Sequence, residues 1–326
     1  VQQPQSASHA PERHINYFRV SVTDLCNYRC LYCMPSTGVE RLPHSEILTF
    51  EEIRSVVEAA IPLGINKLRL TGGEPLVRKG VPQLVEMLAK LPGLQEIYLT
   101  TNGSLLDQFA LELKKGGLTR LNVSIDSLKP DRYREITRGG DLAKVWKGIQ
   151  AAQDAGFTPI KLNVVVIKGV NEDEIEDFAS LTLEHPFEVR FIEYMPFGPT
   201  EISQKLAHLP ADEIKLRIAK LGNLQPLPRR SMSGPAERYQ LESARGSLGF
   251  IAAMSHSFCP TCNRIRLTAD GRLLSCLFSG QSVDVKSLLR SSAPAARISE
   301  AIQEAINAKP ATRNERCEGY MSSIGG

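Results

Sequence analysis

The chain has 326 residues, 42% apolar, 23% charged and 6% aromatic, the balance of an ordinary folded protein and not of a disordered or fibrous one. Its 39 Lys and Arg against 36 Asp and Glu leave a net charge of only +3, which argues against a nucleic-acid partner or a polybasic membrane surface. No apolar run approaches a transmembrane helix and the polar start, Val1 to His14, has no secretory apolar stretch, so no membrane partner and a cytoplasmic location are expected.

Apolar, β-rich runs alternate with helical patterns through the first two thirds of the chain. A strand at 17–22 is followed by Cys26-x3-Cys30-x2-Cys33, then by a helix over Phe50 to Ile61 with Ile53, Val56, Val57 and Ala60 on one stripe. A strand at 66–70 runs into Thr71-Gly72-Gly73-Glu74-Pro75. Helix Val81 to Leu91, strand 95–100, helix Leu105 to Lys115, strand 119–125, helix Asp141 to Ala155, strand 159–167, helix Asp173 to His185 and strand 187–194 follow. Six βα repeats imply a parallel sheet, wound either as an open doubly wound sheet or as a barrel short of eight repeats. After Met195 the alternation stops. A helix near Ala211 to Leu221, β-like runs at Arg238 to Leu241 and Leu248 to Ala253, a hairpin of Arg264 to Thr268 with Arg272 to Ser275, and helices near Val283 to Leu289 and Ile298 to Ala308 make a smaller α+β region. The expected division is an N-terminal extension at 1–16, a large domain at 17–200 and a small one at 201–326.

Side-chain parity within the strands makes one face repeatedly polar. Arg19, Ser21 and Thr23 oppose Val20 and Val22; Lys67, Arg69 and Thr71 oppose Leu68 and Leu70; Glu96, Tyr98 and Thr100 oppose Ile97 and Leu99. Asn122, Ser124 and Asp126 oppose Leu121, Val123 and Ile125, while Lys161 and Asn163 oppose Ile160, Leu162 and Val164. Helices must cover the apolar face, so the polar set faces inward, where complete barrels place Val, Ile and Leu. Buried unpaired cations cost several kcal/mol each. A large polar, anionic ligand in the lumen explains them.

Six of the seven cysteines form two trios, Cys26, Cys30, Cys33 and Cys259, Cys262, Cys276, with Cys317 left over. Close spacing in a large chain points to a metal or redox site, not to disulfides. Three thiolates can hold three corners of a cubane iron-sulfur cluster and leave the fourth iron open. The second trio has an alternative, because His256 with Cys259, Cys262 and Cys276 would complete a Cys3His zinc site.

CxxxCxxC after the first strand and GGEP after the second resemble the signature of the radical S-adenosylmethionine (SAM) enzymes. The whole chain resembles the MoaA family of GTP 3',8-cyclases, which start molybdenum-cofactor biosynthesis, through TDLCNYRCLYCMP, LRLTGGEP, LTTNG, VSIDS, IKLNVVV, EYMPFG, CPTCNRIRLTADG and MSSIGG. The resemblance implies an incomplete (βα)6 TIM-like barrel with a smaller C-terminal domain that carries a second 4Fe-4S cluster. It implies that Cys26, Cys30 and Cys33 hold the SAM-cleaving cluster and Cys259, Cys262 and Cys276 a second one facing the purine. SAM would contact Tyr32, Gly72, Gly73, Glu74, Ser124 and Met195; GTP would contact Arg19, Arg69, Thr100, Lys161 and Arg264-Ile265-Arg266. Arg264, Arg266 and the terminal Gly325 and Gly326 would serve catalysis. From their types alone Met195 and Ile265 read as packing residues. The implied reaction cleaves SAM reductively, removes the ribose 3' hydrogen of GTP and closes the sugar onto C8 of guanine. The implied partners are GTP, a reductant or electron-donor protein and, downstream, a cyclic pyranopterin synthase; a homodimer stays open. Two other readings compete, a different radical SAM enzyme with an auxiliary cluster and a zinc-stabilised binding barrel without redox chemistry. No GxxxxGK[ST] occurs, so GTP rests on the resemblance alone.

Overall fold

The computed structural model describes residues 13–196, 206–228, 234–278, 280–291, 293–312, 320–321 and 324. Six parallel strands form its centre: β1 (Tyr17–Ser21), β2 (Lys67–Thr71), β3 (Glu96–Thr101), β4 (Arg120–Ser124), β5 (Lys161–Lys168) and β6 (Glu188–Glu193). Helices α1 (Phe50–Ala60), α2 (Val81–Ala89), α3 (Leu106–Lys115), α4 (Pro130–Thr137), α5 (Leu142–Asp154) and α6 (Ile175–Glu184) connect them. The amphipathic stripes expected from the sequence fall on this scaffold. Ile53, Val56, Val57 and Ala60 of α1 are fully buried, and the core lies between the helices and Val20, Leu68, Leu99, Val123 and Leu162 of the sheet. Thr49 starts α1 with a complete capping box, its hydroxyl taking the Glu52 N–H while the Glu52 carboxylate takes the Thr49 N–H.

The periodicity did not announce α4. Its sequence PDRYREIT is mostly polar and buries only Tyr133, Ile136 and Thr137, too few apolar positions for a stripe to stand out.

The C-terminal residues add β7 (Ala207–His208), α7 (Ala211–Ile218), β8 (Leu224–Pro226), β9 (Glu237–Leu241), β10 (Ser247–Ile251), β11 (Arg264–Leu267), β12 (Arg272–Leu274), β13 (Val283–Asp284), α8 (Lys286–Arg290) and α9 (Ala295–Asn307). Apart from β7, their strands build no sheet of their own; they extend both edges of the central one, in the order β13-β12-β11-β1-β2-β3-β4-β5-β6-β10-β9-β8. β11 runs parallel to β1 and β10 parallel to β6, so the partial barrel gains one parallel strand at each edge and stays open. Among the described residues no helix is long and apolar enough to cross a membrane.

Gly148 sets the contact between α5 and the entry of α3. A methyl group there would stand 2.5 Å from the Gly103 carbonyl oxygen and 2.9 Å from Leu106 Cβ. Overpacking costs about 1–3 kcal/mol, whereas alanine gains roughly 1 kcal/mol over glycine in helix propensity. Gly148→Ala is therefore expected to lower the urea midpoint; an unchanged or higher midpoint would show that α3 can yield.

Candidate active site

The inward face of the sheet lines a cavity of about 430 Å³. All six cysteines of the two trios reach its wall, and they reach it from opposite ends. The first trio follows β1, at the carboxyl ends of the parallel strands. Cys259 and Cys262 precede β11, whose first residue, Arg264, is level with Tyr17, the first residue of β1. Cys276 leaves the antiparallel β12 at that same end. Fold topology thus separates two groups that the sequence could only space along the chain.

The loop of the first trio is built by close main-chain approach. The Gly73 N–H donates to the Thr23 carbonyl (2.8 Å) and the Glu74 N–H to the Leu25 carbonyl (2.8 Å). A Cβ at Gly73 would meet the Leu25 carbonyl carbon at 2.6 Å, and one at Gly72 the Thr23 carbonyl oxygen at 2.7 Å. What this glycine pair admits is the backbone of the cysteine loop itself. From the other side α4 supports the loop: Arg29 N–H donates to Thr137 O (3.1 Å), Leu31 N–H to Ile136 O (2.9 Å), and Tyr28 packs edge-on against Tyr133. Glu74 is buried and its carboxylate accepts from Leu76 N (3.1 Å), Thr101 Oγ1 (2.7 Å) and Asn102 N (2.6 Å). Burial pushes it up to about 7 despite those donors. It ties the end of β2 to the end of β3. Tyr32, between Cys30 and Cys33, donates its hydroxyl to Asp126 (2.7 Å), whose other oxygen takes the Val165 N–H (2.8 Å).

Both trios suit thiolate ligation by a cluster. None of the six cysteines is in a disulfide. The Tyr28 N–H points at Cys26 Sγ (3.4 Å) and the Phe278 N–H at Cys276 Sγ (3.5 Å), the amide-to-sulfur bonds that tune iron-sulfur sites. Burial raises Cys26 to about 11 and Cys33 to about 12, so both stay protonated near neutral pH unless a bound cation displaces the proton. Burial works the same way on Cys262, but the charges of Arg264 and Lys309 outweigh it and bring that thiol down to about 6. His256 is turned away to Asp212 (2.8 Å), and among the described residues no three Cys, His, Asp or Glu side chains converge on a single-ion position. His256 is thus engaged by Asp212 and not by the trio.

Between the trios the wall is cationic. Among the described residues, eleven lysines and arginines line the cavity against four carboxylates, Glu74, Glu96, Asp126 and Glu188. Arg69 is held by the Tyr17 hydroxyl and Thr100 Oγ1 (2.9 Å), over the faces of Tyr98 and Tyr17. Arg19 lies half-buried beside Arg266, Arg69 and Arg264, and desolvation followed by those like charges drives its pKa well down. Glu188 accepts from Arg190 Nε (2.6 Å) and stands 3.3 Å from Lys161 Nζ. Burial and Arg190 together lower Lys161 to about 7, the mark of a site short of negative charge. Among the described residues, buried Asn122 Oδ1 and Asn163 Oδ1 have no hydrogen-bond partner. A polyanion carrying donors of its own would satisfy both deficits.

The expected site residues Tyr32, Gly72, Gly73, Glu74, Ser124 and Met195 line this cavity, as do Arg19, Arg69, Thr100, Lys161, Arg264 and Arg266. Ile265 does not: its side chain is fully buried in the core, level with Phe18. Gly325, Gly326 and Cys317 lie outside the described residues, although Arg266 Nη1 is 3.5 Å from the Ile324 carbonyl and Met321 reaches the cavity wall. Sequence reading left Lys67, Glu188 and Arg190 out of the site. Parity held the signal for all three, since Lys67 shares the face of Arg69, and Glu188 and Arg190 alternate in β6 as Lys161 and Asn163 do in β5.

A family model described as the Radical SAM superfamily matches residues 20–182, and one described as Molybdenum Cofactor Synthesis C matches residues 187–315. A protein of Pelotomaculum thermopropionicum named GTP 3',8-cyclase is 52% identical over 97% of this chain and 98% of its own length. One of Moorella thermoacetica with the same name is 50% identical over the same shares. The crystal structure of Streptococcus suis SuiB bound to S-adenosylmethionine superposes with a TM-score of 0.60 at 14% identity, over 84% of this chain and 64% of that one, a likeness of fold.

Glu188 gives a pH test. Burial opposes its ionisation, but Arg190 and Lys161 hold it down to about 2, below the ordinary carboxylate value of roughly 4.3. A carboxylate lowered in the folded state adds stability above its unfolded pKa and loses it as pH falls towards its folded one. Glu188→Gln is expected to destabilise the protein at pH 6, and the gap from wild type should close between about pH 4.5 and pH 2 in urea titrations. A constant gap would mean that Glu188 acts by shape and not by charge.

Proposed function

The chain belongs to the radical SAM superfamily and, within it, to the GTP 3',8-cyclases of molybdenum-cofactor synthesis, and on that footing we propose how its cavity divides the work. The enzyme converts GTP to its 3',8-cyclised product, and membership of the superfamily carries a 4Fe-4S cluster and SAM as cofactors. Cys26, Cys30 and Cys33 hold that cluster, and SAM, when bound there and reduced, supplies the radical that takes hydrogen from the substrate. Tyr32, fixed by Asp126, joins Gly72, Gly73, Ser124 and Met195 in seating SAM at the carboxyl ends of the strands, with Glu74 bracing the turn that presents the glycines. Arg19, Arg69, Thr100 and Lys161, with Lys67 and Arg190, clamp the triphosphate through charge-assisted hydrogen bonds. At the far end Cys259, Cys262 and Cys276 hold a second 4Fe-4S cluster that faces the purine. Arg264 and Arg266 close the site there, with Gly325 and Gly326 as its terminal residues and the Ile265 main chain between the two arginines. The C-terminal strands lengthen both edges of the sheet, and the wall they extend holds the reacting sugar near the radical.

The observation that carries this reading is the placement of two cysteine trios at opposite ends of one cation-rich cavity. Anaerobic protein should contain roughly eight irons and as many acid-labile sulfides per chain, two cubanes, and should convert GTP, SAM and reductant to a product of unchanged nucleotide mass. Arg19→Ala or Lys161→Ala should weaken GTP binding by about 1.5–3 kcal/mol, the worth of a hydrogen bond to a charged group, or roughly ten- to a hundredfold in Kd. SAM cleavage should survive both changes. Unaltered GTP affinity in both variants would remove the clamp assignment.

A further inference from the structure

The end of the cavity that carries the second trio is made of three pieces of chain. They are the turn Cys259–Thr261, the lead into β11 and the exit from β12. The ladder between β11 and β12 stops at the pair Arg266 and Leu274, short of the cysteines. Two side chains from distant parts of the sequence close the gap. Lys309 Nζ donates to the Arg264 carbonyl (2.6 Å) and to the Ser275 carbonyl (2.7 Å), one residue before Cys276. Arg13 donates through Nη1 to the Cys259 carbonyl (3.0 Å) and the Pro310 carbonyl (3.0 Å), and through Nη2 to the Lys309 carbonyl (2.8 Å). Each piece that bears a thiol of this trio is thus latched to residues 309–310.

The chemistry of the latch is as telling as its geometry. Lys309 is 8% exposed and lines the cavity, yet among the described residues no carboxylate comes within ion-pair distance of its ammonium. Backbone carbonyls accept two of its three N–H groups without neutralising its charge. Burying an ammonium costs several kcal/mol, and the groups close enough to offset that charge are Cys262 and Cys276, while Arg264 and Arg13 add to it. A neutral donor could have bridged two carbonyls. A cation is the choice that also faces an anionic centre.

We propose that Lys309, seated by Arg13, is the positioning residue of the second trio: it fixes the three thiol-bearing pieces against one another and supplies the positive charge that faces the four-iron centre they hold. This rests on reading Cys259, Cys262 and Cys276 as a cluster site. The inference concerns assembly and redox poise, and neither residue touches the reacting atoms in it.

The test uses the full chain, purified and reconstituted without oxygen, as wild type and as Lys309→Met, Lys309→Arg and Arg13→Gln. Wild type should hold roughly eight irons and show two reduced-cluster signals by electron paramagnetic resonance. Lys309→Met should hold roughly four, or keep the second centre at a more negative reduction potential, because a positive charge favours the reduced form. SAM cleavage at the first centre and the thermal midpoint should be preserved. Lys309→Arg, which keeps charge and donors, should restore iron towards the wild-type count, and Arg13→Gln should show a partial loss. If Lys309→Met fails to fold, Arg13→Gln decides by iron loss at an unchanged melting curve. Full iron with the wild-type potential in Lys309→Met, or in Arg13→Gln when that variant decides, would overturn the proposal. A wild-type count of roughly four would overturn the two-centre reading beneath it.

Discussion

Positive charge concentrated on the wall of one cavity is the constraint on which the rest of this structure turns. Removing a charged side chain from water costs several kcal/mol unless a counter-charge or good hydrogen bonds replace the lost hydration. Among the described residues eleven cations face four carboxylates here, and two of those, Glu74 and Asp126, are committed to holding loops. Glu96 and Glu188 remain as counter-ions. Glu96 stands 3.6 Å from Lys67 and 3.1 Å from Arg120, and Glu188 lies among Lys161, Arg190 and Arg238. Among the described residues those two carboxylates face that wall, and burial with Arg190 holds Lys161 below its ordinary value. A polyanion bound on this wall would offset charge already gathered there in the folded chain, so such a site is organised before its ligand arrives.

The open sheet follows from the same constraint. A closed eight-stranded barrel leaves an interior just wide enough for its own side chains. Six strands plus one parallel addition at each edge leave room for cofactor and substrate together. Because β11 pairs with β1 in parallel, the loop before it falls at the amino end of the sheet while the loop after β1 falls at the carboxyl end. Opposed trios are then a matter of strand direction, and any substrate that reaches both must lie along the strands, past Arg19, Arg69 and Lys161.

Much of this was legible in the residues. Period 2 sent Arg19, Arg69, Thr100, Ser124 and Lys161 to one face, and all five line the cavity. The same rule applied to EVRFIE would have added Glu188 and Arg190. What the sequence hid is non-local. No periodicity marks that β11 pairs with β1 or that β10 pairs with β6, because those ladders join positions about 247 and about 59 residues apart, respectively. Helix α4 was masked by its polar face. Lys309, after a helix and before a proline, is in sequence terms an exposed residue closing a helix; only tertiary packing buries it.

The two ends of the cavity also differ in what must be in place before each exists. The first trio rests on hydrogen bonds from β2 and α4, and its most distant supports lie about 110 residues from the loop. The second rests on Arg13 and on Lys309, and the Arg13 bonds span 246 to 297 residues. Loop-closure entropy grows only slowly with length, so the difference lies less in stability than in dependence: the first end needs the barrel, while the second needs both flanks of the chain to have met. A change near either flank can therefore reach the second end without touching a cysteine, while the first end, framed within residues 17–195, stays as it was.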